Sequence, residues 1–198
     1  HIRFGQDYTY HRFQPQTYNR FDNYQANSEA KADTIETHSY NKNLAHQLTF
    51  YAEDEMTLNE KWSLNGGVNA DVFHISGKTF ATLSPRLSMK FQPTERLSLK
   101  ASYTLMSQFV HKIANSFLDL PTDYWVPTTA RLHPMRSWQV AAGAYMKPDK
   151  HWLLSLEAYY KRSSHILQYS SWAGLEPPAA NWDYMVMEGD GRSYGVDM

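Results

Sequence analysis

The stretch LSLKASYTLMSQF, residues 97–109, decides the fold because its side chains change character at every second position. The odd positions are mostly apolar, as at Leu97, Leu99 and Leu105, and the even positions are mostly polar, as at Ser98. A period of two over this length is incompatible with a helix, whose apolar side chains recur about every 3.6 residues. The stretch therefore predicts a long β-strand with one apolar and one polar face.

The same alternation recurs along the chain and predicts an all-β fold, an antiparallel meander of seven or eight long strands. The other predicted strands are residues 2–13, 44–53, 62–72, 83–91, 137–146 and 152–161, and an eighth starts near residue 194. Several of them can reach the ~9–11 residues that a tilted strand needs to cross a bilayer, whereas strands of soluble proteins usually have about five or six. Strand length therefore favours a transmembrane β-barrel. Because the chain starts and stops inside alternating segments, we expect it to be part of a longer one.

The predicted connections differ in length between the two ends of the strands. Short turns lie at residues 59–60, 94–95 and 149–150, and long connections lie at residues 19–41, 112–137 and 171–192. Only the link near Gly77 is short on the long-loop side. This asymmetry is typical of outer-membrane barrels, which have short periplasmic turns and long outer loops. Trp62 and Trp152 each follow a short turn, which suits either an aromatic girdle at a membrane interface or one end of a soluble sandwich.

The composition agrees with a barrel and excludes several other classes. Aromatic residues make up 15% of the chain, and Tyr and Trp suit surfaces that are apolar on one side and wet on the other. No stretch approaches the ~18 apolar residues of a transmembrane helix. The net charge of −1, without a clustered basic patch, argues against nucleic-acid binding. The chain has no cysteine, so disulfides and thiolate metal sites are excluded.

Three motifs, taken in order, resemble a known family. They are LSPRLS at residues 83–88, LPTDYWVP at residues 120–127 and EGDGRSYGVD at residues 188–197. Together they resemble the barrel of TonB-dependent outer-membrane receptors, in the form common in Bacteroidetes, from about residue 62 onward. The end departs from the family pattern, because Met198 stands where Leu or Phe usually follows the acidic residue.

The resemblance implies a 22-stranded barrel that is closed by an N-terminal plug domain and driven by the TonB energy-coupling protein. We accordingly expect residues 1–198 to be a partial β-barrel segment, without the plug domain or the energy-coupling segment. The implied function is active uptake of siderophore-bound iron, a cofactor or an oligosaccharide across a Gram-negative outer membrane. The implied partners are outer-membrane lipid, the remainder of the barrel and the plug. A small complete outer-membrane barrel and a soluble carbohydrate-binding β-sandwich remain alternatives.

Aromatic residues in the long loops are the predicted ligand-binding residues. Tyr124 and Trp125 lie between two prolines, which stiffen the loop and so reduce the entropy lost when a small-molecule ligand binds. Trp172, Trp182 and Tyr184 lie in the last long connection. The alternative for both groups is that the rings pack inward and only fold the loops.

No catalytic or metal-binding arrangement is predicted. The histidines near the loop ends, His74, His111, His133 and His165, lack the spacing of a metal motif, and no His-x-His pair occurs. Glu53 and Glu55 share one face of a strand, and we expect them to be solvated rather than catalytic. No nucleophile elbow or phosphate-binding glycine loop is present. We therefore predict a protein that is not an enzyme and has no cofactor.

Overall fold

A computed structural model describes most of the chain. It covers residues 1–13, 42–113, 125–149, 151–168, 183 and 186–198 in full, and the backbone alone at residues 16–21, 35–40, 124 and 169. Within this described part, no helix is long and apolar enough to cross a membrane.

The regular elements of the described residues are β-strands. In chain order they are β1 (Ile2–Phe13), β2 (Gln16–Phe21), β3 (Ile35–Tyr40), β4 (Asn43–Thr57), β5 (Trp62–Ile75), β6 (Lys78–Thr94), β7 (Leu97–Gln108), β8 (Val110–Ile113), β9 (Tyr124–Pro127), β10 (Met135–Met146), β11 (Leu154–Tyr169) and β12 (Val186–Asp197).

Eight of these strands form one antiparallel sheet in the order β1-β4-β5-β6-β7-β10-β11-β12. They are 12 to 17 residues long, which exceeds the ~9–11 residues that span a bilayer. The other four form two small ribbons, β2–β3 and β8–β9, inside the first two long connections. The predicted all-β antiparallel meander is therefore confirmed. Within the described residues the sheet is open, because β1 pairs with β4 alone and β12 pairs with β11 alone. This openness does not fit a closed eight-stranded barrel.

The tight turns follow from local side chains. The Asn59 carboxamide oxygen accepts hydrogen bonds from the backbone N–H groups of Lys61 and Trp62, both at 2.9 Å, and so closes the β4–β5 turn. The β5–β6 turn on the opposite end has two positive φ angles, 47° at Ser76 and 78° at Gly77. Two such residues in succession match the twist of a hairpin, which explains why this connection needs no more than two residues.

Each of the three predicted long loops contains residues that form a strand in the structure. The predicted loop 19–41 contains β3, the predicted loop 112–137 contains β9, and β12 begins at Val186, inside the predicted loop 171–192. The start of β12 was missed because it contains glycines and charged residues instead of alternating apolar ones. Backbone pairing with β11 carries this part of the strand.

The two faces of the sheet have opposite character. Apolar side chains such as Leu87 (52% exposed), Leu99, Val140 and Leu156 stand on one face and remain exposed. The polar face lines a cavity of about 460 Å³, whose wall includes residues from β4 through to β12. A soluble sandwich would bury its apolar face, whereas a membrane barrel turns that face to lipid. The sheet therefore has the surface of a barrel wall.

The buried residues lie at the long-loop end and not at the centre of the sheet. One cluster consists of Phe13, Ala45, Phe73, Ile75 and Phe109, and a second consists of Ile113, Val126, Leu132 and Val186. Phe73 lies on the polar face of β5, and its ring stacks on that of Phe109 with centroids 4.9 Å apart. The inner face thus becomes apolar at this end, where the segment after β7 folds against it.

Candidate functional site

The polar face forms a wall of interacting side chains. Lys90 and Lys100 oppose each other in register, and the Lys100 ammonium lies 4.5 Å from the centre of the Tyr145 ring. The Tyr145 hydroxyl donates a hydrogen bond to the Glu157 carboxylate at 2.7 Å. Lys90, Lys100 and Ser102 line the cavity, which is the face that the alternation predicted to be polar.

The acidic residues of this wall are held by neighbouring polar groups. Glu53 accepts a hydrogen bond from the Asn65 carboxamide at 3.0 Å and lies 3.8 Å from the Arg86 guanidinium. Glu55 lies 3.6 Å from the Arg3 guanidinium. The two carboxylates therefore have cationic or amide partners of their own, which suits a wetted wall better than a pair of catalytic groups.

A compact turn, residues 128–132, lies at the long-loop end of the sheet. The Thr128 N–H donates to the Phe109 carbonyl at 2.7 Å, and the Thr129 hydroxyl oxygen accepts from the Arg131 and Leu132 N–H groups, both at 3.2 Å. The Lys78 ammonium donates to the Ala130 carbonyl at 2.9 Å. These bonds, together with buried Leu132, fix the backbone immediately before His133.

His111 lies buried beneath this turn. Its imidazole nitrogen is 3.4 Å from the Thr128 hydroxyl, and burial lowers the pKa of His111 from 6.5 to about 4, although the Glu188 carboxylate opposes the shift. Loss of hydration disfavours the charged imidazolium, so the ring is neutral at neutral pH.

The low pKa of His111 gives an expected pH dependence. Between pH 6.5 and about 4 the unfolded chain binds a proton that the folded chain does not. The free energy of unfolding should therefore fall as the pH falls through this range, by roughly 1.4 kcal/mol for each pH unit. Urea midpoints of the solubilised protein between pH 7 and pH 5 measure this fall. It should be smaller in His111→Gln and unchanged in His74→Gln, and an equal fall in all three proteins would contradict the assignment.

Three ionisable side chains meet at the rim of the sheet, next to this turn. The Glu188 carboxylate accepts a hydrogen bond from the His133 backbone N–H at 2.5 Å, and both of its oxygens lie 3.3 Å from the His133 imidazole. The His165 imidazole lies 2.7 Å from the same carboxylate, and the two imidazole rings are 5.0 Å apart. The three groups offer ligand atoms that all lie within 4.8 Å of one another, a spacing at which a metal ion could be held.

The predicted ligand-binding residues are described only in part. Trp125 lies on β9 and is 57% exposed, while its neighbour Val126 is buried. The backbone of Tyr124 begins β9, but its side chain lies outside the described residues, as do Trp172, Trp182 and Tyr184 entirely. Ligand binding by these five residues therefore stays a prediction.

Sequence reasoning missed the grouping at the rim. The sequence predicts no metal-binding role for His133 or His165, and Glu188 enters only as part of the motif at residues 188–197. The three residues come from the β9–β10 connection, β11 and β12, so no short spacing in the sequence could reveal them. The only available signal was the clustering of histidines toward the loop ends.

A long-stranded antiparallel sheet with an exposed apolar face, a polar inner wall and long connections at one end defines a wall of a transmembrane β-barrel. The model for the TonB dependent receptor-like beta-barrel family matches residues 1–198, and the chain belongs to that family. The family is one of receptors and not of enzymes, in agreement with the prediction. The finer assignment to the Bacteroidetes form stays a prediction.

Two solved structures share the fold. The chain is similar to the F5-1 variant of the FrpB iron transporter from Neisseria meningitidis in its apoprotein form, with 14% identity over 98% of this chain and 30% of that one, at a TM-score of 0.62. It is also similar to the F3-3 variant, with 18% identity over 67% of this chain and 20% of that one, at a TM-score of 0.50. The chain thus spans less than a third of either structure. A search of curated proteins finds no match.

Proposed function

We propose that this chain forms part of the wall of a TonB-dependent receptor that takes up a scarce nutrient across a Gram-negative outer membrane. The supporting observation is the two-faced sheet, with exposed apolar side chains on one face and a polar cavity wall on the other. Lipid would cover the apolar face, and the polar wall, including Lys90 and Lys100, would face the plug domain.

The sheet edges suggest the other parts of such a receptor. Within the described residues, β1 and β12 each pair on one side only. Open edges cannot face lipid, because their backbone N–H and C=O groups would lack hydrogen-bond partners. Further strands of a 22-stranded barrel would satisfy them, and a plug with its TonB-gripped segment would complete the transporter.

The first candidate cargo is iron bound to a siderophore. The two structural neighbours are described as iron transporters, which favours iron over a cofactor or an oligosaccharide. Trp125 is exposed and could contact a ligand, and Tyr124, Trp172, Trp182 and Tyr184 are proposed to join it from the outer loops.

Two experiments test this function. Reading the coding frame on both sides should show a small mixed domain before residue 1 and more β-hairpins after residue 198. Deleting the gene should then abolish growth on ferric siderophores as the sole iron source, and the intact gene should restore it. A frame confined to these residues would overturn the receptor proposal, and undiminished growth on every ferric siderophore tried would overturn the iron cargo.

A further inference from the structure

The rim cluster of His133, His165 and Glu188 has a donor set that suits a particular class of metal ion. Two imidazoles and one carboxylate are the ligands of many zinc sites and of non-haem ferrous sites. Calcium and magnesium prefer all-oxygen sites, and cuprous ions prefer sulfur ligands, which this cysteine-free chain lacks as thiolates. The donor set therefore favours borderline divalent ions such as Zn²⁺, Fe²⁺ and Co²⁺.

Hydrogen bonding alone explains only part of the geometry. The separation of 2.7 Å between the His165 imidazole and Glu188 is that of a good hydrogen bond. The His133 imidazole, however, lies 3.3 Å from both carboxylate oxygens, which is longer than most hydrogen bonds. Two ligands bound at about 2.0–2.1 Å to one tetrahedral metal are separated by about 3.3 Å. The separation between His133 and Glu188 is therefore that of two ligands of one metal, whereas His165 would have to draw back from Glu188 by roughly 0.6 Å to bind the same ion.

The backbone is arranged to bring these side chains together. The pairing of β11 with β12 shifts register between Ser163 and Ile166, which forms a β-bulge that contains His165. The φ angle of His165 is 58°, a left-handed conformation that is unfavourable for any residue with a side chain. Bulges commonly re-aim a side chain beside a functional site. Here the bulge places His165 against Glu188 of the neighbouring strand.

The Glu188 carboxylate is also oriented by a hydrogen bond from the backbone. The His133 backbone N–H donates to one Glu188 oxygen, and the turn that carries this N–H is fixed by the Thr129 hydroxyl. Such outer hydrogen bonds orient the ligands of metal sites. Glu188 is largely covered, with 23% of its side chain exposed, whereas His133 is open to solvent, with 56% exposed. An ion could therefore enter from the His133 side.

We propose that His133, His165 and Glu188 form a binding site for one divalent transition-metal ion at the rim of the barrel. The ion would tie the β9–β10 connection to β11 and β12. This inference does not rest on the proposed cargo, because a resident ion would bind whether or not the receptor transports iron.

The test uses the intact receptor that contains this chain, purified in detergent without a polyhistidine tag and stripped with a chelator. Titration with Co²⁺, followed by visible absorption, counts the bound ions, and Zn²⁺ should displace them. The wild type should bind one more ion than His165→Ala and Glu188→Gln, whose affinity at this site should fall about 100-fold or more, since even outer-shell changes cost 10–100-fold. Matched controls are His74→Ala and His151→Ala. His151 lies 3.6 Å from Asp149, a histidine–carboxylate pair at the opposite end of the sheet.

A second readout needs no variant and so does not depend on variant folding. Zn²⁺ should protect His133 and His165 of the wild type from diethylpyrocarbonate and leave His74 reactive. Absence of Co²⁺ binding at millimolar concentration would overturn the proposal, and so would equal binding by the wild type and both site variants, or equal modification of His133 and His165 with and without Zn²⁺. The cluster would then only connect the β9–β10 connection, β11 and β12 by hydrogen bonds.

Discussion

Replacing Phe73 by alanine is expected to lower the free energy of unfolding by about 3–5 kcal/mol, the cost of deleting a fully buried aromatic ring. Phe73 is 0% exposed, and its ring is nearly parallel to that of Phe109, at an interplanar angle of 4°. The deletion would leave a cavity between β5 and the segment that follows β7. Because this stacking holds the segment against the inner face, protease cleavage after Phe109 should also become faster.

The control for this prediction is Val72→Ala on the same strand. Val72 points to the opposite face and is 40% exposed, so its truncation leaves no internal cavity and should cost well under half as much. Urea midpoints of the intact receptor in lipid vesicles measure both variants. If Phe73→Ala were no more destabilising than Val72→Ala, the buried cluster around Phe73 would not stabilise the long-loop end of the sheet.

Leu87→Arg is expected to destabilise the membrane-inserted barrel by about 2–4 kcal/mol, the cost of a cation on the lipid face near the bilayer midplane. Leu87 lies near the middle of β6, opposite Gly66 on one side and Tyr103 on the other. Its side chain stands on the exposed apolar face. Lipid cannot hydrate a guanidinium group, so the penalty should appear in vesicles and should be much smaller in water-rich detergent.

Ser88→Arg is the matched control, one residue further along the same strand. Ser88 lines the polar cavity opposite Asn65 and Ser102, where a charged side chain can be hydrated. Its effect on the urea midpoint should be close to zero. Equal losses of unfolding free energy in the two variants, or a greater loss in Ser88→Arg, would mean that the lipid face and the polar face have been assigned the wrong way round.

The sequence was sufficient to predict the strands wherever side chains alternate. Residues 97–109 predicted a strand that the structure ends at Gln108, and the predicted strand 2–13 is β1. Alternation predicts strands there because lipid favours apolar side chains on one face and the wetted interior favours polar side chains on the other. It failed at Val186–Arg192, because Gly189 and Gly191 offer no side chain to alternate and the pairing there is made by backbone groups.

The rim cluster could not be predicted for a different reason. Spacing rules recognise ligands that one helix or one strand brings together, and His133, His165 and Glu188 come from three separate segments. Their meeting depends on the strand register and on the bulge at His165. Register is fixed by pairing along the whole sheet, so it could not be read from the residues around any one histidine.

The inward-facing cluster around Phe73 could not be predicted either, although Phe13, Ala45 and Phe109 lie inside predicted strands. Phe73 continues the polar-face positions of β5 beyond Asp71, so the alternation suggested that the strand had ended near Val72. In the structure β5 continues to Ile75, because the segment after β7 covers this end of the inner face. The inner face thus changes from polar to apolar at the place where the segment after β7 packs against it.

The most direct measurement of the central claim is the accessibility of spin labels on the two faces of the sheet. The chain has no cysteine, so single cysteines at Leu87, Ser88, Leu99 and Lys100 can each carry one label in the vesicle-embedded receptor, after replacement of any cysteine elsewhere in that receptor. Labels at 87 and 99 should collide mainly with oxygen, which concentrates in lipid, and labels at 88 and 100 mainly with a water-soluble nickel complex. Alternation of this kind would establish a barrel wall with its apolar face in the membrane. Nickel access at all four positions, or the reverse alternation, would contradict it.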